Sequence, residues 1–163
     1  MKHETNIEAL HEAKERLELE YNKKHLAIEI SITTGSRVAE ELWERKIIEY
    51  SLSSSNRRKF MMYAVRASYD NEPITYNQLK KLLGISDGGL TTMWKECSDA
   101  GWIVTTQEKR ANQTLFASNN LVKAYNNYMI YVRQNYKDSG LRTLAQAIVE
   151  MQHLIEHEDC ENR

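Results

Sequence analysis

Apolar residues recur along most of this chain at three- and four-residue spacing, the signature of helices that bury one stripe. From about Thr5 to Ile30, the residues Ile7, Leu10, Leu17, Tyr21 and Ile28 fall near one stripe of an otherwise charged segment, interrupted by Lys14 and Lys24. So narrow a seam cannot enclose a core alone, and this helix therefore needs a partner helix in the same subunit or in another. The run Ile32-Thr33-Thr34-Gly35-Ser36 ends it. Ser36 is expected to cap a second helix reaching about Tyr50, with Val38, Leu42, Trp43, Ile47 and Ile48 apolar. After a polar joint at Ser51 to Ser55, a third helix over Arg57 to Tyr69 turns Phe60, Met61, Ala64 and Val65 inward and ends at Asp70-Asn71-Glu72-Pro73.

The middle of the chain changes rhythm. In Thr75-Tyr76-Asn77-Gln78 the threonine can cap a helix while the glutamine three residues on reaches back, a reciprocal capping pattern. A short helix to Leu83 is closed by Gly84. Ile85-Ser86 makes a tight turn, Ser86 caps again, and Leu90, Trp94 and Cys97 give one buried stripe up to Gly101. Trp102 to Thr106 and Gln113 to Phe116 carry the β-branched and aromatic residues of strands, joined by the polar stretch Gln107 to Asn112 as a hairpin. Helix, tight turn, helix and hairpin, in that order, make a winged helix-turn-helix.

Beyond it, helices are predicted from about Asn119 to Tyr136 and from Leu141 to about His157, with a frayed tail from Glu158 to Arg163. The last helix places Leu141, Leu144, Ile148, Met151 and Ile155 at alternating three and four spacing, a seam that favours helix association and reads as a dimerisation surface. The expected fold is thus mainly α, with a small β-hairpin wing flanked by N- and C-terminal dimerisation helices.

Composition adds limits. The 163 residues contain one proline, six glycines and 28% charged residues, which suits a helix-rich chain and argues against disorder or a β-sandwich. No apolar run approaches the roughly 18 residues that span a bilayer, so no membrane partner is expected. The cysteines, Cys97 and Cys160, are far apart and suggest neither a disulfide framework nor a zinc knuckle; a reducing cytoplasm fits. His153 and His157 stand four apart, but Leu154 occupies the place of a catalytic glutamate, and no metal site is expected. No phosphate loop, nucleophile elbow or histidine–carboxylate set is present, so neither catalysis nor a cofactor is expected. Net charge is −1 overall, yet residues 1–50 hold 8 Lys+Arg against 11 Asp+Glu, residues 51–118 hold 9 against 6, and residues 119–163 hold 5 against 6. Positive charge collects in the middle, where a phosphate-facing surface is to be sought.

The segment from Ile74 to Ser118 resembles the MarR family of bacterial transcription regulators. The residues that carry the likeness are Ile74-Thr75, Leu79, Leu82-Leu83-Gly84-Ile85-Ser86, Leu90-Thr91-Thr92, Gly101-Trp102-Ile103-Val104 and the wing run Glu108-Lys109-Arg110-Ala111-Asn112, with Glu108 where aspartate is usual. In order of elements the likeness extends over about residues 37–155. It implies a homodimer on double-stranded DNA, with Arg110 as the wing-tip arginine that reaches toward the minor groove. The implied division is an N-terminal helical extension over 1–35 and a winged-helix domain with C-terminal dimerisation helices over 36–163, its core at about 56–118.

With Leu90, Trp94 and Cys97 inward, helical geometry turns Asp87, Gly88, Thr91, Thr92 and Lys95 toward a major groove, which is wide enough for a helix. Ser86, Gly88 and Gly89 at the helix start would let backbone N–H groups approach a phosphate. Asn77, Lys80 and Lys81, Arg57 and Arg58 with Lys59, and Lys109 with Arg110 complete a basic rim. Leu10 and Leu17 join the C-terminal seam as dimer contacts. Each has a plainer reading: the glycines permit a turn, the basic runs are solvated faces, and Trp94, Trp102 and Cys97 are core. Two other readings of the module are a plasmid or phage partition or replication protein and a winged helix that docks on protein. A small-molecule effector between the dimer helices and the DNA-binding lobe is an open expectation.

Overall fold

The computed structural model describes residues 2–34, 41–106, 108–109 and 112–161, and side chains over 6–32 and within 41–160. The chain is mainly helical with one three-stranded antiparallel sheet, an arrangement compatible with a winged helix. It divides into two compact units, Ser36–Ile130 and a second made of Met1–Gly35 with Tyr131–Arg163. Residues after Tyr131 therefore group with the N-terminal extension, where the sequence reading attached them to the winged module.

In the first unit, α2 (Leu42–Leu52) and α3 (Ser55–Asp70) precede β1 (Ile74–Thr75), α4 (Tyr76–Leu83), α5 (Asp87–Asp99), β2 (Ile103–Thr105), β3 (Thr114–Ala117) and α6 (Asn119–Asp138), which belongs to this unit as far as Ile130. α2 begins five residues later than predicted, with Glu41 extended at its N-cap in place of Ser36, which lies outside the described residues. Leu42, expected inward, is 65% exposed: as the first residue of the helix it points some 140° away from the buried Ile47, five residues on. Val38 lies outside the described residues. The polar joint shortens to Ser53-Ser54, because Ser54 caps α3 by accepting from the Arg57 amide at 3.1 Å while Ser51 turns inward and bonds the Tyr125 hydroxyl.

The predicted capping box is present in full: Thr75 Oγ1 accepts from the Gln78 amide at 3.1 Å and Gln78 Oε1 accepts from the Thr75 amide at 2.9 Å. Gly84 closes α4 at φ +62°, a left-handed conformation that glycine adopts without strain. Ser86 Oγ then caps α5 by accepting from the Gly89 amide at 3.2 Å. The core joins Phe60, Met61, Ala64 and Val65 of α3, Leu79 and Leu83 of α4, Leu90, Met93, Trp94 and Cys97 of α5, Leu115 of β3 and Leu121 of α6, all buried.

The sheet has one strand that the sequence did not announce. Strand order is β1-β3-β2, with Ile74 opposite Leu115 and Val104 opposite Phe116. β1 is two residues long, too short to show alternation, and it forms because the chain after Pro73 enters α4 beside the edge of β3.

In the second unit, α1 (Lys2–Thr34) packs along α7 (Leu141–Glu161). The partner helix that the narrow seam requires is thus in the same chain. Leu141 and Ile155 are buried within one copy, while Leu10, Leu17, Leu144, Ile148 and Met151 are half-buried. Tyr136 of α6 bonds back to α1, donating to Glu29 Oε1 at 2.8 Å and lying 3.2 Å from His25 Nε2. Both terminal helices outrun their predicted ends. Thr33 and Thr34 weaken a helix by only a few tenths of a kcal/mol each (roughly) and do not stop it. α7 continues to Glu161 through the stretch expected to fray, supported in its last turns by Gln152 donating to Glu156 at 2.8 Å. Among the described residues no helix is long and apolar enough to cross a membrane, and no group of three or more His, Cys, Asp or Glu is placed to hold a metal.

Burial lifts the Cys97 thiol from its ordinary 9.0 to about 12, the nearby Tyr50 hydroxyl only partly opposing it; burial likewise lifts the Tyr125 hydroxyl from 10.0 to about 12. Both groups stay neutral in the fold at pH values where the unfolded chain ionises. Their contribution is complete below pH 9.0 and is lost as pH climbs toward about 12, so unfolding free energy should fall across that window. A thiol reagent at pH 8 should therefore titrate one cysteine in the native protein, the exposed Cys160, and both after urea unfolding. Two fast native equivalents would contradict the burial of Cys97.

Candidate nucleic-acid interface

α5 is seated by its inner edge. Leu90 and Cys97 are fully buried, Met93 and Trp94 nearly so, and the Trp94 ring packs against Tyr76 at 5.5 Å and Phe60 at 6.4 Å between centroids. Met93 was missed in the sequence because it sits beside the three- and four-residue stripe and widens it. Among the described residues the buried Trp94 indole nitrogen has no hydrogen-bond partner, and the ring is held by packing against Tyr76 and Phe60.

The outer edge is only partly what the sequence suggested. Gly88, Gly89, Thr92 and Lys95 are exposed, but Thr91 is half-buried, and its hydroxyl lies 3.0 Å from the Tyr76 hydroxyl, which also donates to the Asp87 carbonyl at 3.1 Å. Thr91 therefore ties α5 to α4 and is not free for a groove. The Thr92 hydroxyl donates to the Gly88 carbonyl at 2.9 Å, so its one proton is committed within the helix while the residue stays exposed. Neither Gly88 nor Gly89 has a positive φ, so the turn does not require glycine. A Cβ at Gly88 would meet nothing within 4 Å, and one at Gly89 would rest at 3.4 Å from Ser86 Oγ. The space over Gly88 is open.

The basic rim divides into committed and uncommitted groups. Arg57, expected at the rim, is drawn instead to Glu96 of α5 at 3.2 Å and stacks over the Tyr50 ring at 4.9 Å. Burial pulls its pKa down, but Glu96 and Tyr50 outweigh that and raise it. Burial, joined by the bond to Glu96, holds the Tyr50 hydroxyl well above its ordinary range. Lys80 pairs with Asp87 at 3.0 Å and Lys95 with Asp99 at 3.1 Å, both on the surface. Asn77, Lys81, Lys59 and Lys109 are exposed, Arg58 is half-buried, and Ser86 is exposed but uses its oxygen as a cap. Arg110, the expected wing-tip residue, lies outside the described residues. Residues 76–99 carry three lysines, Lys80, Lys81 and Lys95, against Asp87, Glu96 and Asp99, so the α4–α5 face is locally neutral.

No family model matches the chain, and no curated protein matches it. Among solved structures it is similar to one described as "Structure of Disulfide formed AbfR", at 15% identity and a TM-score of 0.42, over 86% of this chain and 96% of that one. So loose a likeness leaves the site to be read from the chain's own geometry.

Two cavities border the face. One of about 240 Å³ between α5 and the hairpin is lined by Tyr76, Thr91, Trp94, Lys95, Ser98 and Thr105 among others. Another, a groove of about 700 Å³ between α3 and α4, is lined by Tyr63, Ala67, Pro73, Ile74, Lys81 and Leu82 among others. The second is within the size range of small-molecule sites, though it lies within the first unit and not where the sequence reading placed an effector.

The tie between α4 and α5 through the Tyr76 hydroxyl is open to test. Replacing Tyr76 with Phe keeps the ring against Trp94 and removes the hydroxyl with its bonds to Thr91 and Asp87, which should lower the unfolding free energy in urea by at least about 1 kcal/mol. An unchanged midpoint would mean that the hydroxyl does not tie the two helices.

Proposed function

We propose that this chain binds double-stranded DNA by laying α5 in a major groove, two copies to a roughly palindromic site, as a transcription regulator without catalytic activity. The observation that supports the reading is the two-sidedness of α5: an inner edge fastened to the core and an outer edge of glycine, threonine and lysine with open space over Gly88. A groove wall can approach such a surface closely, and the Thr92 methyl suits a thymine methyl. The exposed pairs Lys80–Asp87 and Lys95–Asp99 are worth well under about 1 kcal/mol each, so both lysines can turn to phosphates at small cost. Lys81, Asn77 and Lys109 need no such exchange. Arg110 keeps its proposed wing-tip role from the sequence.

Dimerisation in this reading uses different residues from those first expected. Leu141 and Ile155 are occupied inside one copy, whereas Leu19, Leu26 and Ile30 of α1 and Val149 and Leu154 of α7 remain exposed. A two-helix layer with apolar residues left outside is covered by a second copy.

Duplexes selected from a random pool should bind with affinity that falls about a thousandfold or more between roughly 50 and 200 mM salt, if ~6–10 phosphates are neutralised per dimer. Lys81→Ala should weaken every duplex alike and flatten the log–log slope by about 1 per subunit. Gly88→Ala separates fold from function: it should raise stability by about 0.5 kcal/mol, since alanine is the better helix residue, while weakening DNA binding by filling the open space. The neutral charge balance of the α4–α5 face supports a second reading, a protein-docking module. No enriched duplex and no salt dependence would favour it over DNA.

A further inference from the structure

Three elements of the first unit meet at one carboxylate. Glu96, on the side of α5, accepts from the Tyr50 hydroxyl of α2 at 2.6 Å and from Arg57 Nη2 of α3, at 3.2 Å to Oε1 and 3.4 Å to Oε2. Arg57 also covers the Tyr50 ring at 4.9 Å, and that ring lies 5.1 Å from Trp102, which leads into β2. Other polar contacts of α5 differ in kind: Lys80–Asp87 is exposed, Lys95–Asp99 lies within α5 itself, and Tyr76 holds the first turns through Asp87 and Thr91. The inner stripe of apolar side chains fixes how deeply α5 sits. It bars the helix from rolling its apolar side outward but holds smaller rotations about the axis loosely, because dispersion contacts are non-directional, whereas a charge-assisted bond to a planar guanidinium is directional.

We propose that Glu96 is a positioning residue, held by Tyr50 and Arg57, that sets the rotation of α5 and so decides which side chains its outer edge presents to DNA. The inference rests on the DNA-binding reading, and it reassigns Arg57 from phosphate contact to scaffold. Glu96 itself need not touch the duplex. Its bonds lie on the flank of the helix, so α5 keeps its core in their absence but loses its angular reference. The clamp is also the path by which a change in α2 or α3 would be felt at the DNA face.

The test compares wild type with Glu96→Gln, which keeps an acceptor for Tyr50 but loses the ion pair, and with Arg57→Gln, by amide resonances and hydrogen exchange of α5 and by affinity for the selected duplex across salt concentrations. Both variants should shift the α5 amides from Asp87 to Asp99 and lower affinity about tenfold, with an unchanged salt slope, because no phosphate contact is lost. The double variant should lose no more than either alone, as expected for one shared interaction. If the α5 resonances and affinity stay put while only the unfolding midpoint drops, Glu96 is an ordinary structural contact and the proposal fails. If the slope for Arg57→Gln flattens by about 0.9 per subunit, Arg57 touches phosphate and the proposal also fails. Should wild type bind no duplex, the DNA reading falls while the α5 amides still decide the clamp: unchanged shifts and exchange overturn it.

Discussion

The burial of one edge of α5 is the constraint on which the rest of this structure turns. Leu90, Met93, Trp94 and Cys97 leave water together, and side chains of this kind contribute about 1.5–3 kcal/mol each on burial. That is comparable with the whole margin by which a domain is stable. The helix therefore cannot roll its apolar side outward, and Gly88, Thr92 and Lys95 are exposed as a consequence. The inner edge fixes which side of α5 faces outward, and the proposed clamp at Glu96 adds the finer angle.

Around that edge the fold supplies directional contacts where the apolar ones are indifferent. The capping box at Thr75 and Gln78 and the cap at Ser86 satisfy the first amides of two consecutive helices and set the angle of the turn between them. Tyr76 then bridges the two by bonding Thr91 and the Asp87 carbonyl. These bonds are short-range in sequence, so this part of the molecule should form early and locally. The sheet, by contrast, joins Ile74 to Leu115 across forty residues.

What could be read from the sequence was the part written in local chemistry. The caps at Thr75 and Ser86, the left-handed glycine at the end of α4 and the stripe Leu90, Trp94 and Cys97 depend on residues within a few positions of each other, and each stands where expected, whereas the cap expected at Ser36 falls at Glu41. Partnerships that join distant segments were not legible. Nothing near Arg57 shows that it will meet Glu96, thirty-nine residues away, and a basic run looks the same whether it is solvated or engaged. Thr91 misled for a related reason: helical geometry put it at the boundary of the stripe, and only the height of Tyr76 on the neighbouring helix decides that its hydroxyl is taken. The long seam of α1 was seen, as was its need for a partner, but which helix would meet it is a matter of chain path. The seam of α7, read as a dimer surface, is partly used up within one copy for the same reason.

The proposal for α5 requires its outer edge to lie in a groove. A Thr92→Cys variant in a Cys160→Ser background, carrying a chelated iron that cuts nearby sugars, measures this directly, because the buried Cys97 stays unlabelled. The account predicts two clusters of cuts on the bound duplex, one per half-site and about one helical turn apart. Uncut duplex under conditions where the complex is formed would contradict it.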